Sequence, residues 1–265
     1  MSRRLRLDAE LVRRGLARSR EQAAELIATG RVAVGGQRAA KAASQVAAGA
    51  AITVGEPVGG PGYVSRGGHK LAGALAAFGG PVVAGRRCLD AGASTGGFTD
   101  VLLRSGAAHV VAVDVGYGQL AWSLRSDDRV TVLDRVNIRS LRPDQVAPAP
   151  DLVVADLSFI SLTLVIPALV ACAAPGADLL LMVKPQFEVG RERVGDGVVR
   201  DPALRAEAVQ SVARAAAGSG LGVQGVTASP LPGPAGNVEY FLWLRRAAPP
   251  LDPDMVRDAI AAGPQ

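Results

Sequence analysis

The sequence predicts an α/β protein: a mainly parallel sheet of seven strands, covered by helices on both faces and preceded by a small, basic α+β module. Three observations predict it. Apolar, strand-length runs alternate with helical stretches from residue 87 to residue 244, the pattern of a doubly covered sheet. One of those strands passes straight into a glycine-rich loop and then a helix. The net charge of +5 lies wholly in residues 1–64, which hold ten Lys/Arg against five Asp/Glu. A chain of 265 residues with 49% hydrophobic content can bury such a core and still carry a separate basic module.

The front segment comes first in the chain. Asp8 is expected to cap a short helix that carries Leu11 and Val12 and stops at Gly15. Ser19 with Gln22 three residues on reads as a capping box for a second helix, with Ala23, Ala24, Leu26 and Ile27 inward. Residues 31–34, Gly35-Gly36 and Gln37-Arg38 form a hairpin signal, and residues 51–54 a further strand. The pattern Arg6-Leu-Asp8, Leu11-Val-Arg13, Gly15, Ser19-Arg20, Ala23 and Gly30-Arg-Val32 resembles the S4 RNA-binding domain. That resemblance implies a grip on folded RNA through phosphate and shape contacts, with Arg4, Arg6, Arg14, Arg18 and Arg20 as RNA-binding candidates. Residues 55–62, dense in glycine and proline, mark a break. The expected organisation is a module over 1–60, a linker over 61–65 and a larger domain over 66–265.

The strands of the larger domain are expected at 87–92, 109–115, 130–133, 151–157, 178–184, 222–228 and 238–244. Asp201-Pro202 opens the clearest helix, which runs to about residue 218. The uncharged run 157–177 is interrupted by Pro167 and Pro175, so it reads as a buried helix leading into a buried strand rather than a membrane span. Cys88 and Cys172 have no metal-ligand spacing and read as core residues of a reduced, cytoplasmic protein. No signal peptide is read at the start.

The glycine-rich loop carries the cofactor expectation. Strand 87–92 ends in Asp90 and Gly92; Ser94, Thr95, Gly96 and Gly97 form the loop, and Phe98 begins the helix. The Gly-x-Gly-x-x-Gly turn of nicotinamide-binding proteins is absent. An acid just before the first glycine suits S-adenosylmethionine, with Asp90 toward its ammonium group. Asp114, at the end of the next strand, is placed to accept hydrogen bonds from ribose hydroxyls. Asn137, after the third strand, can meet the adenine edge or serve as a turn residue.

Charged residues interrupt the remaining strand ends: Asp156 after Val153-Val-Ala, Lys184 after Leu180-Leu-Met-Val, and Glu239 after Asn237-Val. Lys70 follows Ser65-Arg66-Gly-Gly-His69. Two lysines and two acids so placed suggest one charge-balanced cluster, since a lone buried charge is costly. This set resembles the Lys-Asp-Lys-Glu tetrad of FtsJ-like ribose methyltransferases. The whole arrangement, an S4 module, Ser-Arg-Gly-Gly-His-Lys and Asp-Ala-Gly-Ala-Ser-Thr-Gly-Gly-Phe-Thr-Asp, is similar to the TlyA (haemolysin-like) family.

That resemblance implies a Rossmann-like, seven-stranded, S-adenosylmethionine-dependent methyltransferase domain behind the S4 module. The implied activity is 2′-O-methylation of cytidine in 16S and 23S ribosomal RNA, with Lys70, Asp156, Lys184 and Glu239 catalytic and Asp156 also near the cofactor. Lys184, with Lys70 beside it, is the expected base. No metal is expected, nor a stable membrane association. His69 and His109 read as structural. Residues 186–197 read as a mobile loop closing on RNA through Arg191 and Arg193, and Arg66 joins them as a contact. Two other readings stand beside this one: a membrane-active haemolysin, and an RNA-binding adaptor with an inert methyltransferase fold. Neither a spanning nor an amphipathic segment favours the first.

Overall fold

A computed structural model of the chain describes residues 4–28, 30–47, 49–55 and 62–263. The chain divides into two compact units, Met1–Arg66 and Gly67–Gln265. Of the expected linker, 61–65, only residue 61 lies outside the described residues.

In the first unit, β1 (Arg4–Arg6) runs directly into a helix, Leu7–Arg13, and a second helix, Arg20–Ala28, packs against it. Strands β2 (Val32–Val34), β3 (Gln37–Arg38), β4 (Gln45–Ala47) and β5 (Ile52–Val54) follow. β2 pairs antiparallel with β3 and β5, and β1 with β4. Gly35 and Gly36, at φ +59° and +81°, supply the two left-handed residues that a tight two-residue hairpin turn needs. Leu7, Leu11, Ala23, Leu26, Ile27, Val32 and Val46 form the core.

Two capping expectations shift. Arg6, not Asp8, occupies the N-cap position, and Asp8 is buried inside the first helix. Ser19 Oγ accepts from Gln22 N at 3.1 Å as expected, but the Gln22 side chain returns to Arg18 N rather than to Ser19.

The second unit holds a seven-stranded sheet: β6 (Arg87–Ala91), β7 (His109–Asp114), β8 (Val130–Asp134), β9 (Leu152–Ala155), β10 (Asp178–Val183), β11 (Gly222–Ala228) and β12 (Tyr240–Arg245). Their order is β11-β12-β10-β9-β6-β7-β8. β12 runs antiparallel to both of its neighbours, and the other pairings are parallel. The central strands β9 and β10 are buried at every residue, which is why they read as unbroken apolar runs. The run 157–177 resolves into a short 3-10 turn, Leu162–Leu164, a helix, Ile166–Cys172, and the approach to β10. Asp201 caps the helix Pro202–Gly218 by accepting from Ala203 N at 2.8 Å. Cys88 and Cys172 are buried and unbridged, and burial pushes the Cys88 thiol up to about 12. Among the described residues, no helix is long and apolar enough to cross a membrane.

Strand order reverses at β6: the chain goes outward to β7 and β8 on one side, then returns to β9 and β10 on the other. Ligands of open α/β sheets bind where such a reversal opens a crevice beyond the carboxyl ends of the strands. β6, β7, β9 and β10 all end at that edge, and antiparallel β12 begins there.

Candidate active site

At the reversal point the carboxyl ends of β6 and β9 meet. Asp156 N donates to Ala91 O at 3.0 Å, and Gly92 N donates to Val113 O at 2.8 Å. Gly92 has φ +85°, and a Cβ there would lie 2.5 Å from Asp156 O and 2.9 Å from Leu157 Cδ2. No other residue lets these strand ends approach so closely. Gly96, at φ +99°, sits equally tight: a Cβ would collide with Leu124 and Leu120.

Asp90, the penultimate residue of β6, is wholly buried. Thr99 Oγ1 donates to its Oδ2 at 2.7 Å, while Oδ1 has no hydrogen-bond partner among the described residues. Burial raises its carboxyl to about 7, the Thr99 hydrogen bond opposes the rise, and the charges of Asp156 and Asp114 add to it. A buried carboxylate with an unmet oxygen beside a glycine loop is a site short of a cation. The ammonium group of S-adenosylmethionine fits that deficit.

Asp114, at the end of β7, holds the loop in place. Its Oδ2 accepts from Ser94 N at 2.8 Å and its Oδ1 from Gly116 N at 2.6 Å. Ser94 takes a left-handed φ of 47° to make its bond, and its Oγ meets Gln119 Oε1 at 3.3 Å. Thr95 O accepts from Ala121 N at 3.1 Å, and buried Gly97 opens the helix Gly97–Arg104. Phe98 is 3% exposed and stacks on Phe241 with 6.0 Å between centroids, so it packs into the core beneath the loop. Asn137 Oδ1 accepts from Arg139 N at 2.9 Å, capping a 3-10 turn; the turn role is the one the structure displays.

The four charged residues of the expected tetrad fall into two ion pairs rather than one undivided cluster. Lys184, just past β10, places Nζ 2.6 Å from Asp156 Oδ1 and donates to Ser158 Oγ at 3.0 Å. The 2.6 Å contact is an ion pair without hydrogen-bond alignment, since Asp156 Oδ1 has no aligned donor among the described residues. Lys70 Nζ lies 2.5 Å from Glu239 Oε2, with both side chains buried. The register pairs Val183 with Tyr240, so the next residues along the two strands, Lys184 and Glu239, stand at the same sheet edge. All four residues belong to the edge that carries the Asp90 loop.

Three neighbours were not singled out from the sequence. Thr99 steadies Asp90 and Ser158 steadies Lys184; Thr99 lies within the quoted glycine-loop motif and Ser158 two residues past Asp156, so proximity in sequence was the available signal. Glu188 is the third. It accepts from Ser161 Oγ at 2.5 Å and Leu162 N at 2.9 Å, tying the segment after β10 to the segment after β9. Burial raises its carboxyl, against those two hydrogen bonds. Where a mobile loop is expected at 186–197, the structure has two helical turns, Pro185–Glu188 and Arg191–Val194.

The arginines are mostly engaged. Arg6 and Arg20 both bind Asp8, Arg14 binds Glu10 and Ala50 O, and Arg18 is exposed. Arg66 is half-buried at the start of the helix Arg66–Phe78. Arg193 is held by Glu207 through two hydrogen bonds of 2.7 Å. The side chains of Arg4 and Arg191 lie outside the described residues. His109 meets Thr131 Oγ1 at 2.9 Å. Among the described residues, no cluster of His, Cys, Asp and Glu could hold a metal ion.

Comparison with known proteins identifies the family. Residues 63–246 match the FtsJ-like methyltransferase family, and residues 5–52 match the S4 domain. The chain is 61% identical, over the full length of both, to the 16S/23S rRNA (cytidine-2′-O)-methyltransferase TlyA of Mycobacterium tuberculosis. It is 36% identical to Hemolysin A of Brachyspira hyodysenteriae, covering 89% of this chain and 98% of that one. A solved structure from Streptococcus thermophilus, provisionally named a hemolysin, superposes with a TM-score of 0.78 at 38% identity, over 98% of this chain and 96% of the other.

Proposed function

Because the chain belongs to the TlyA family of FtsJ-like methyltransferases, we propose that it transfers a methyl group from S-adenosylmethionine to the 2′-hydroxyl of cytidine in ribosomal RNA, in the 16S molecule, the 23S molecule or both. The observation that carries the reading is the pair of lysine–carboxylate contacts, Lys184–Asp156 and Lys70–Glu239, at the sheet edge that bears the Asp90 loop.

S-adenosylmethionine supplies an electrophilic sulfonium methyl group. The residues proposed to hold it are Asp90, Gly92, Ser94, Thr95, Gly96, Gly97, Asp114, Asn137 and Asp156, with Phe98 supporting the loop from the core. Asp90 Oδ1 offers a buried acceptor for the ammonium, and Asp114 orders the loop while keeping carboxylate lone pairs for ribose hydroxyls. A ribose hydroxyl is a weak nucleophile and must lose its proton as it attacks. Lys184 acts as the base only as its neutral amine, its own proton having first passed to solvent; Nζ then takes the hydroxyl proton, and the Asp156 carboxylate and Ser158 hydroxyl stabilise the ammonium that re-forms. Lys70, held by Glu239, keeps a second cation at the site that can orient the hydroxyl. The remainder of the acceleration comes from positioning oxygen, methyl carbon and sulfur in line.

The test is tritiated methyl transfer to purified small and large ribosomal subunits. Lys184→Ala should lower the rate by roughly 10²–10⁴-fold, the usual contribution of a placed base, while leaving cofactor binding close to that of the wild type. Equal incorporation by both proteins sinks the mechanism. Leakage of liposomes without any methylation turns the reading toward the haemolysin names of the relatives.

A further inference from the structure

The first unit, read above as the RNA-binding unit, buries two carboxylates on the helix Leu7–Arg13. Asp8 is 4% exposed and Glu10 is fully buried. For a surface that must meet a polyanion, each negative charge opposes binding; the first turn of a helix favours acids, but it does not require them to be buried. Their surroundings explain them. Asp8 Oδ1 accepts from Arg6 Nε at 3.1 Å and from Ala9 N at 2.8 Å, and Oδ2 accepts from Arg6 Nη2 at 2.9 Å and Arg20 Nη2 at 3.0 Å. Glu10 receives Arg13 through Nε and Nη2 at 2.7 and 2.6 Å, and Arg14 Nε at 2.7 Å.

Each acid thus grips the inner edge of a guanidinium whose outer part reaches solvent. The side chains of Arg6, Arg13 and Arg20 are 46%, 59% and 60% exposed. Arg6 and Arg13 both spend Nε and Nη2 on the buried acid, and their Nη1 ends make no hydrogen bond among the described residues. The hydrogen bonds from Arg6 hold the Asp8 carboxyl far below its ordinary range. Those from Arg13 and Arg14 hold Glu10 at about 2, so both acids stay ionised throughout the working range. A free arginine side chain loses rotamer entropy when it docks on a phosphate. An arginine already clamped on one edge has lost most of it beforehand.

We propose that Asp8 and Glu10 are positioning residues for RNA binding: buried negative charges that fix Arg6, Arg20 and Arg13 as a rigid array of phosphate donors. The inference rests on the reading of this unit as the RNA-binding one. It makes a prediction opposite to simple charge counting. Removing an acid raises the positive charge of the surface, which alone would tighten RNA binding, whereas loss of the array should weaken it.

The experiment is filter binding of the full chain to purified large and small ribosomal subunits across a series of salt concentrations. Asp8→Asn and Glu10→Gln should each weaken binding about three- to tenfold, with the slope of log affinity against log salt nearly unchanged, because the cations remain. Glu21→Gln, an exposed acid of the same unit, changes the charge equally and should bind as tightly as wild type or tighter. Arg6→Ala and Arg20→Ala should lose affinity and reduce the salt slope by about one phosphate contact each.

Tighter binding by Asp8→Asn and Glu10→Gln, together with weaker binding by the arginine variants, overturns the inference and leaves the RNA-binding reading standing. Unchanged binding by the arginine variants overturns both. If circular dichroism shows that neither acid variant keeps its helices, Arg13→Lys and Arg20→Lys decide the matter. They keep the charge and lose the planar fork, so wild-type affinity in both would sink the inference.

Discussion

Asp90 shows how much one side chain can impose. Its folded carboxyl, raised to about 7, binds a proton more tightly than the unfolded carboxyl with an ordinary value near 3.8. The folded state therefore carries the extra proton between those two values, and stability falls as pH rises from about 4 to about 7, then levels off. At about 1.4 kcal/mol per pKa unit the loss is roughly 4 kcal/mol at most. Urea titrations of the cofactor-free protein at pH 5 and pH 8 should show this decline. Asp90→Asn, which keeps an acceptor for Thr99, should flatten it. S-adenosylmethionine should bind more tightly as pH rises through about 7, because the ammonium needs an ionised partner, and Asp90→Asn should lose at least tenfold in affinity by calorimetry. A pH-independent affinity in the wild type would remove Asp90 from that role.

At the scale of elements, the meeting of β6 and β9 is the joint on which the site turns. Gly92→Ala would force a Cβ against Asp156 O in a backbone conformation that alanine rarely adopts. The expected cost is roughly 1–3 kcal/mol of stability, the range for overpacked sites. Methyl transfer should fall further than that stability loss explains, because Asp156 is displaced with its backbone; a melting curve paired with the transfer assay separates the two.

The same joint shows what could be read in advance. The seven strands of the large sheet were legible to within about two residues; the central ones are buried on both faces and leave unbroken apolar runs such as Leu179-Leu-Leu-Met-Val183. β1 and β4 were not legible. Arg4-Leu-Arg6 has a single apolar residue, which is only half-buried, and Gln45-Val-Ala47 buries only Val46, so neither shows an apolar run. Asp8 read as a cap because a short acid before a helix usually is one, and only the fold reveals two arginines converging on it. Asp156, Lys184 and Glu239 were legible as charges at strand ends and Lys70 as one following the linker, but the division of these four into pairs was not. It depends on β12 entering between β10 and β11, a choice of partners that no local pattern encodes. The turns after Lys184 read as loop for a similar reason: Glu188 holds them through Ser161 and Leu162, 27 and 26 residues away in the chain.

On the scale of the whole molecule, each unit has a hydrophobic core of its own. A chain beginning at Gly67 should therefore unfold cooperatively and still bind S-adenosylmethionine, while its kcat/KM for methylating ribosomal subunits drops at least tenfold through KM. Retention of full efficiency would deny the first unit its part in holding RNA. The position of β12 has a further consequence, for a chain as it leaves the ribosome. The partner of Lys70 is synthesised 169 residues after it, just ahead of a strand that must slot between two already made. Until that strand emerges, the nascent protein can assemble its glycine loop but leaves a lysine unpaired at the sheet edge. Pairing of the proposed catalytic charges thus waits for the end of the sheet, and a message truncated before codon 239 yields a protein that lacks the Lys70–Glu239 pair.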